Sequence, residues 1–287
     1  MRNRYGAWKW VAAGLLCAAG SGAWAADAPL EWRVGPAAWS FRLFSFFEAV
    51  DKTASLGMGY IEAFENQRVR PDGEAKLNAD LSDEAIAAIR AKLDEAKVRL
   101  TSIYIHRIPG DEAGCRRTFE FAKKLGVEAI VSEPEPEALD VIERCCNEFD
   151  INVAIHNHPE GKSRYWHPDE VLKVCEGRGP HIGACADTGH WLRSGLKPAD
   201  CVRKLGARLL SVHLKDLDKA APDGHDRPWG QGCGELAEVL EAVHELGLSP
   251  TLFAVEYESH WENNLPQIEE CGAWFGRTVA ELAASSG

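Results

Sequence analysis

The chain has 287 residues and a formal net charge of -12 at pH 7, from 44 acidic and 32 basic residues. Binding to a phosphate backbone requires a positive surface, so this charge argues against nucleic acid as a partner. Hydrophobic residues make up 45% of the chain. A chain of this size buries a large core in one domain without needing cross-links.

The first 25 residues have the pattern of a secretory signal peptide. A basic start is followed by an apolar run over 10–17 and by the small-x-small motif AWA at 23–25. We expect cleavage after Ala25, a periplasmic or secreted protein, and no stable membrane anchor after cleavage. A membrane anchor is the weaker alternative, because the apolar run is shorter than the roughly 20 residues that span a bilayer. A lipoprotein attached at Cys17 is disfavoured by the bulky leucines before it.

Eight cysteines remain after the predicted cleavage. An even number in an oxidising compartment permits disulfides, but no CxxC pair or regular spacing defines a pairing. The sequence also leaves the oligomeric state open, and a homo-oligomer would be compatible with it.

From Arg33 onward, short β-type runs alternate with amphipathic helical stretches. Helices are predicted at 81–97, with Ser82 as N-cap, and at 233–247, which ends in glycine. Repeated strand–helix units predict an α/β fold, a single (β/α)8 TIM barrel over 33–284. An open doubly wound sheet is the alternative, but no GxGxxG loop follows the first run. The eight predicted strands are 34–41, 60–65, 100–106, 128–133, 152–158, 181–187, 208–216 and 252–258.

Side chains alternate between the two faces of each predicted strand. In the seventh run, Leu210, Val212 and Leu214 share one face, and His213 and Lys215 share the other. The fifth and eighth runs show the same division. We therefore expect the apolar faces to pack outward on the helices and the polar faces to point into the barrel.

In such a barrel the carboxyl ends of all strands open on one face, where active sites are built. Gathering several buried carboxylates there without a cation would be costly in repulsion and desolvation, and a bound divalent metal removes that cost. Mixed carboxylate and imidazole ligands suit Mn, Co, Zn, Ni or Fe rather than Ca. The ionisable groups at the strand ends are Glu62, His106, Glu133, His156, His158, Asp187, His190, His213, Lys215, Asp216, Glu256 and Glu258.

Six motifs along the chain carry a resemblance to a known family. They are IVSEPE at 130–135, VAIHNHPEG at 153–161, DTGH at 187–190, VHLKD at 212–216, WGQGCGEL at 229–236 and VEYE at 255–258. Over residues 34–280 the chain resembles the xylose isomerase-like TIM barrels, also called the sugar phosphate isomerase/epimerase superfamily. The SE and HNH motifs are most similar to its inosose dehydratase branch.

The resemblance implies a divalent metal held by acids at the ends of the fifth and eighth strands, an aspartate on the sixth and a histidine on the seventh. It places these roles on Asp187, His213 and Glu256. At the fifth strand His156 stands where an acid is usual, so the fourth ligand is either His156 or Glu133 from the neighbouring strand. His190 is expected to contact the substrate.

Such a metal would polarise the carbonyl of a keto sugar, so that a base can remove the adjacent proton through a metal-stabilised enediolate. Lys215 could supply positive charge to the developing oxyanion or protonate a leaving group. The alternative for Lys215 is a plain ion pair with Asp216. The candidate bases are Glu256, Glu133, His156 and His158.

We therefore expect an exported sugar isomerase or epimerase that acts on a keto sugar or glycoside. If a β-oxygen leaves after the proton, the enzyme is instead a dehydratase or a 3-keto-glycoside lyase. The site shows no arginine cluster or glycine-rich nest for a phosphate, which favours an unphosphorylated substrate. Glu62, His106 and Trp39 are further predicted substrate contacts. Aromatic residues that could stack on a sugar ring are Trp39, Tyr104, Trp166, Trp191, Trp229 and Trp261.

Two other classes of protein use similar barrels. An exported sugar-binding protein would keep the pocket without the chemistry, but the near-complete set of polar strand ends argues against it. A zinc endonuclease of the abasic-site repair kind would need several metals and a basic groove, which the acidic composition disfavours.

Overall fold

The computed structural model describes residues 30–285, and the predicted signal peptide with Ala25 lies outside them. Eight parallel strands form one sheet, and a short antiparallel ribbon of β8 and β9 follows β7. The strands are β1 (Val34–Pro36), β2 (Tyr60–Phe64), β3 (Arg99–Tyr104), β4 (Ala129–Ser132), β5 (Asn152–His156), β6 (Ile182–Asp187), β7 (Leu209–Leu214), β8 (Asp216–Leu217), β9 (Asp226–Arg227) and β10 (Phe253–Val255).

Helices lie between the strands and cover the outside of the sheet. Serine side chains cap the first two: Ser45 forms a capping box with Glu48, and Ser82 accepts from the amide of Ala85, as predicted. The helices are α1 (Phe46–Ser55), α2 (Asp83–Ala96), α3 (Glu112–Leu125), α4 (Leu139–Phe149), α5 (Pro168–Cys175), α6 (Thr188–Arg193), α7 (Pro198–Leu205), α8 (Leu236–Glu245) and α9 (Leu265–Ser285).

The sheet closes on itself. Pairing runs from β2 through β7 in chain order, then to β10 and back to β1, and a parallel bridge between Ala37 and Glu62 joins the two edges. The predicted (β/α)8 TIM barrel is therefore confirmed, and the open doubly wound sheet is wrong.

The apolar faces of the strands pack outward on the helices. Val212 and Leu214 belong to this outer core, as predicted, but the prediction for Leu210 is wrong. Its side chain packs inside the barrel with Ala154 and Cys185. The reason is a β-bulge: Ala184 pairs with Leu209 and Cys185 with Ser211, so Leu210 is an extra residue that breaks the alternation.

Most elements are shorter than the sequence predicts, and the first strand and the helix predicted at 233–247 are shortened most. The first strand ends at Pro36, and Ala38–Phe41 form a 3-10 turn, because the amide of Ser40 bonds to the carbonyl of Ala37 instead of continuing the ladder. The helix predicted at 233–247 begins at Leu236. The residues before Leu236 form a loop whose backbone amides bind the Asp216 carboxylate.

Within residues 30–285, none of the helices is both apolar enough and long enough to cross a membrane. The eight cysteines in this part of the chain are free thiols. Cys115 and Cys145, on neighbouring helices, bring their sulfurs to 3.4 Å.

Barrel closure predicts a strong effect of Gly35→Ala. A Cβ at Gly35 would lie 1.9 Å from the carbonyl oxygen of Tyr60 on the facing strand, whereas a Cβ at Gly59 would meet nothing within 4 Å. We expect Gly35→Ala to lower the free energy of unfolding by about 1–3 kcal/mol and Gly59→Ala to have a much smaller effect, measured by urea denaturation. Equal midpoints for the two variants would contradict this account of closure.

Candidate metal centre and active-site cavity

A cavity of about 410 Å³ opens at the carboxyl ends of the strands. This is the face on which the sequence predicts the active site. The lining residues are Ala37, Ala38, Trp39, Glu62, Ala63, Phe64, Glu65, Asn66, Tyr104, His106, His156, His158, His190, Lys215, Glu256 and Glu258.

Two residues of the cavity lining, His156 and Glu256, belong to a group of four side chains that could hold a metal ion. The four side chains are His156, Asp187, His213 and Glu256, hereafter the four-donor group, and one donor atom from each lies within 4.8 Å of the others. They come from four consecutive strands of the barrel, β5, β6, β7 and β10, so pairing in the sheet brings them together. His213, for example, is the direct neighbour of Asp187 on β6.

The group contains buried polar atoms that have no hydrogen-bond partner. Both ring nitrogens of His156 are in this state, while the Oδ2 atom of Asp187 has an ion-pair contact with the Lys215 amine at 3.1 Å but no well-aligned hydrogen bond, and both side chains are almost completely buried. His156 Nε2 lies 3.5 Å from Asp187 Oδ2. An unsatisfied buried polar group is costly, and a cation between these atoms would remove that cost. The donor set and its unsatisfied atoms therefore fit a divalent transition metal.

The structure distinguishes between the two candidates for the fourth ligand. Glu133 is outside the four-donor group: its Oε1 contacts His158 Nδ1 and lies 3.7 Å from His156 Nδ1. Its other oxygen accepts from Ser163 Oγ at 2.5 Å. Glu133 belongs to a separate group with His156 and His158. The geometry thus favours His156 as the fourth ligand, with Glu133 as a partner of His158.

Glu62 lies at the cavity wall, but its carboxylate is directed at His213. Its Oε1 is 2.6 Å from His213 Nε2, and its Oε2 accepts from Ser102 Oγ at 2.6 Å. A carboxylate on the second nitrogen of a metal-ligating histidine orients the ring and makes it a better ligand. Its predicted role as a substrate contact stays a prediction, and the hydrogen bonds point to a supporting role.

Lys215 is buried at the centre of the acidic residues. Its Nζ lies 3.1 Å from Asp187 Oδ2, 2.8 Å from Glu256 Oε2 and 2.9 Å from Glu258 Oε2. Burial disfavours the charged amine, but these carboxylates raise the pKa of Lys215 well above its usual value. The alternative of an ion pair with Asp216 is wrong.

Asp216 instead organises the loop of the WGQGCGEL motif. Its carboxylate accepts from the amides of Gly230, Gly232 and Gly234 at 2.8–3.0 Å. A Cβ at Gly232 would lie 2.3 Å from Asp216 Oδ1, so glycine is needed for this approach. The motif is structural, and it explains why α8 starts late.

The charges in the centre are strongly coupled. Burial opposes ionisation of Asp187 and Glu256, yet Lys215 lowers the pKa of both carboxyls, together with His156 for Asp187 and His213 for Glu256, to below the usual range. Burial also opposes protonation of His213, but the groups around it raise its pKa. In His190 burial dominates and lowers the pKa well below its usual value. His190 is therefore a neutral imidazole.

The remaining predicted substrate contacts lie around the rim. His190 is buried and stacks on His158 with ring centroids 4.8 Å apart. His106 is exposed, with Nδ1 3.3 Å from the Tyr104 hydroxyl. Trp39 donates from Nε1 to Glu258 Oε1 at 3.0 Å. All of these residues line the cavity.

Two of the six aromatic residues suggested for sugar stacking, Trp39 and Tyr104, line the cavity. Trp191 and Trp229 are buried in the outer core, where the Trp229 indole donates to the carbonyl of Leu214. These two tryptophans therefore pack between the sheet and the helices and do not stack on a ligand in the cavity. Trp166 and Trp261 are not among the lining residues.

Sequence reasoning missed several cavity residues. Glu65 and Asn66 follow β2 and line the cavity, and Glu65 could have been found because it is the last residue of the predicted run at 60–65. Arg193, close to His190, was also overlooked, although it stands on the first turns after the DTGH motif.

A family model described as xylose isomerase-like TIM barrel matches residues 50–277. The chain belongs to this family. Family membership confirms the resemblance inferred from the six motifs. A search of curated proteins gives no match to this chain.

Solved structures support the same fold. An uncharacterised protein from Parabacteroides distasonis is 32% identical, with a TM-score of 0.70 over 86% of this chain and 98% of that one. A D-tagatose 3-epimerase-like protein is 18% identical, with a TM-score of 0.69 over 89% of this chain and 100% of that one. A probable 3-DHS dehydratase, AsbF from Bacillus anthracis, is 16% identical, with a TM-score of 0.63 over 85% of this chain and 98% of that one. The last two show the fold alone.

The geometry predicts which variants lose bound metal. Asp187→Asn and His156→Asn each remove a donor, so metal retained after gel filtration should fall from one equivalent to near zero, measured by inductively coupled plasma mass spectrometry. Glu133→Gln should weaken affinity by about 10- to 100-fold at most, the range typical of outer-shell partners. Loss of metal in Glu133→Gln together with retention in His156→Asn would make Glu133 the ligand instead.

Proposed function

We propose that this chain is an exported, divalent-metal-dependent enzyme of the isomerase/epimerase type that removes the proton next to the carbonyl of a keto sugar. The observation that carries the proposal is the four-donor group at the carboxyl ends of the strands, with His156, Glu256 and His158 lining one cavity and Glu133 in contact with His158. When bound by these donors, a divalent cation supplies positive charge that makes the carbon next to the carbonyl more acidic.

His158 is the best candidate for the proton-transfer group. It is the most exposed of the imidazoles near the donors, with 37% of its side chain accessible. Its Nδ1 contacts Glu133. Burial raises the pKa of Glu133, but His156, His158 and Ser163 lower it further than burial raises it, so Glu133 is ionised and orients the ring. Nε2 of His158 is then left to exchange a proton with the substrate.

Lys215 and Glu256 complete the chemistry. Lys215 lines the cavity as a protonated amine, so it can donate a hydrogen bond to the oxyanion that develops, or a proton to a departing β-oxygen. Glu256 and Glu258 both form ion pairs with the Lys215 amine. Glu256 is the second candidate base. Isomerisation, epimerisation and elimination share the first proton transfer, and they differ in what leaves or returns afterwards.

The cavity favours a neutral sugar. Its lining contains four carboxylates, from Glu62, Glu65, Glu256 and Glu258, and a single permanently charged cation, Lys215. Even with a divalent cation in the four-donor group, the four carboxylates of the lining exceed the positive charges of Lys215 and the cation by about one, which disfavours a phosphate. The volume of about 410 Å³ is in the range of small-molecule sites. Export, expected from residues 1–25, also agrees with an unphosphorylated keto sugar or glycoside.

The proposal is tested by incubating metal-loaded protein with keto sugars and 3-keto glycosides in heavy water. Deuterium should enter the carbon next to the carbonyl, and the mass of the product separates isomerisation from loss of a β-oxygen. Binding of sugars without exchange, under Mn, Co or Zn, would contradict the proposal and support a sugar-binding protein.

Within this assay, His158→Asn should slow deuterium uptake by about 100-fold or more, the usual contribution of a positioned acid or base. Metal content should be unchanged, because His158 is outside the four-donor group. His225→Asn, at an exposed histidine, is the control and should exchange at the normal rate. Deuterium uptake at the wild-type rate in His158→Asn would contradict this assignment and favour Glu256 as the base.

A further inference from the structure

The side chain of Arg193 is held by three different partners at the end of α6. Its Nε donates to the carbonyl of Gly224 at 3.2 Å, and Nη2 donates to Asp226 Oδ1 at 3.0 Å. Its Nη1 lies 3.1 Å from His190 Nδ1. Only 13% of the side chain is exposed. The planar guanidinium is therefore fixed, with one N–H directed at the imidazole.

This contact decides where the proton of His190 lies. Arginine stays protonated in proteins and has only donors. The ring nitrogen facing it must therefore offer a lone pair, which leaves the single proton of a neutral imidazole on the other nitrogen. We propose that Arg193 is a positioning residue that holds His190 as the Nε2–H tautomer, so that the ring presents a hydrogen-bond donor to an oxygen in the cavity.

The other surroundings of His190 agree with a fixed ring. Its backbone amide donates to Asp187 Oδ1 at 2.8 Å, and one face of the ring stacks on His158. His190 Nε2 lies 3.7 Å from Asp187 Oδ2, beyond a normal hydrogen bond. The Nε2–H donor is therefore free to bind a substrate oxygen at the cavity wall that His190 forms.

The anchor for Arg193 comes from the ribbon of β8 and β9. Asp226 accepts from Arg193 with Oδ1 and from the backbone amide of Glu258 with Oδ2. One carboxylate thus links α6 to the end of the last barrel strand. The ribbon follows β7 directly and is held at its base by Asp216. Through Asp226 and Arg193, this ribbon determines which ring nitrogen of His190 carries the proton.

The tautomer can be tested without any substrate, by ¹⁵N NMR of the full-length protein labelled at histidine. His190 should show a pyridine-like Nδ1 and a protonated Nε2 in the wild type and in Arg193→Lys, which keeps a charged donor. Arg193→Met should give a mixture of tautomers. Arg178→Met is the matched control, because Arg178 also binds one backbone carbonyl and two side chains but precedes β6, whereas His190 follows the opposite end of that strand. A protonated Nδ1 in the wild type, or an unchanged tautomer in Arg193→Met, would overturn the proposal.

The binding of a substrate oxygen by His190 Nε2–H rests on the proposed function. Two substitutions of His190 test this binding. Glutamine places its amide N–H₂ near the position of Nε2, whereas asparagine places it near Nδ1, facing Arg193. His190→Gln should therefore keep KM within about threefold, and His190→Asn should raise it by about tenfold, the value of one hydrogen bond. Equal KM values would exclude the substrate role. The predicted tautomer without turnover of any keto sugar would instead leave the positioning role intact and refute the proposed function.

Discussion

The structure depends on charge compensation among carboxylates that the barrel brings to one small space. Asp187, Glu256 and Glu258 all lie within 3.1 Å of the Lys215 amine, and Glu62 lies across the barrel against His213. Mutual repulsion and desolvation of such a set would be prohibitive without buried positive charge. Several nearby features serve this compensation. Gly189 leaves room for the Lys215 side chain, and Thr188 holds the Lys215 backbone through two hydrogen bonds.

A second regularity concerns the imidazoles. Three of them have one nitrogen committed to an outer partner: His213 to Glu62, His158 to Glu133, and His190 to Arg193. Each outer partner fixes a ring orientation and a tautomer, which general acid–base chemistry and metal binding both require. His156 is different, since neither of its nitrogens has a hydrogen-bond partner. A cation held by the four-donor group would give these nitrogens a partner.

Much of the fold was predictable from the sequence. Strand–helix alternation indicates the number of barrel strands, and parallel strands place their carboxyl ends together, so the pattern groups the ionisable residues at the strand ends, and the family resemblance selects Asp187, His213 and Glu256 among them. The departure at His156 is also visible in the HNH motif. These inferences work because they depend on local pattern and on one geometric property of parallel barrels.

Features that depend on register or on contacts across the barrel were beyond sequence reasoning. Leu210 turns inward because a bulge inserts an extra residue in β7. Glu62 meets His213 although 151 residues separate them, and only closure of the sheet brings the two together. Lys215 forms ion pairs with other acids and not with Asp216, because the Asp216 carboxylate already accepts hydrogen bonds from three glycine amides. In each case the partner is distant in sequence and carries no local signal.

The most direct test of a cation in the four-donor group is anomalous X-ray diffraction from crystals grown with Mn²⁺. The account predicts a single strong peak within bonding distance of donor atoms from His156, Asp187, His213 and Glu256. A peak placed instead between Glu133 and His158, or no peak with the Lys215 amine still bound to Asp187 and Glu256, would contradict it.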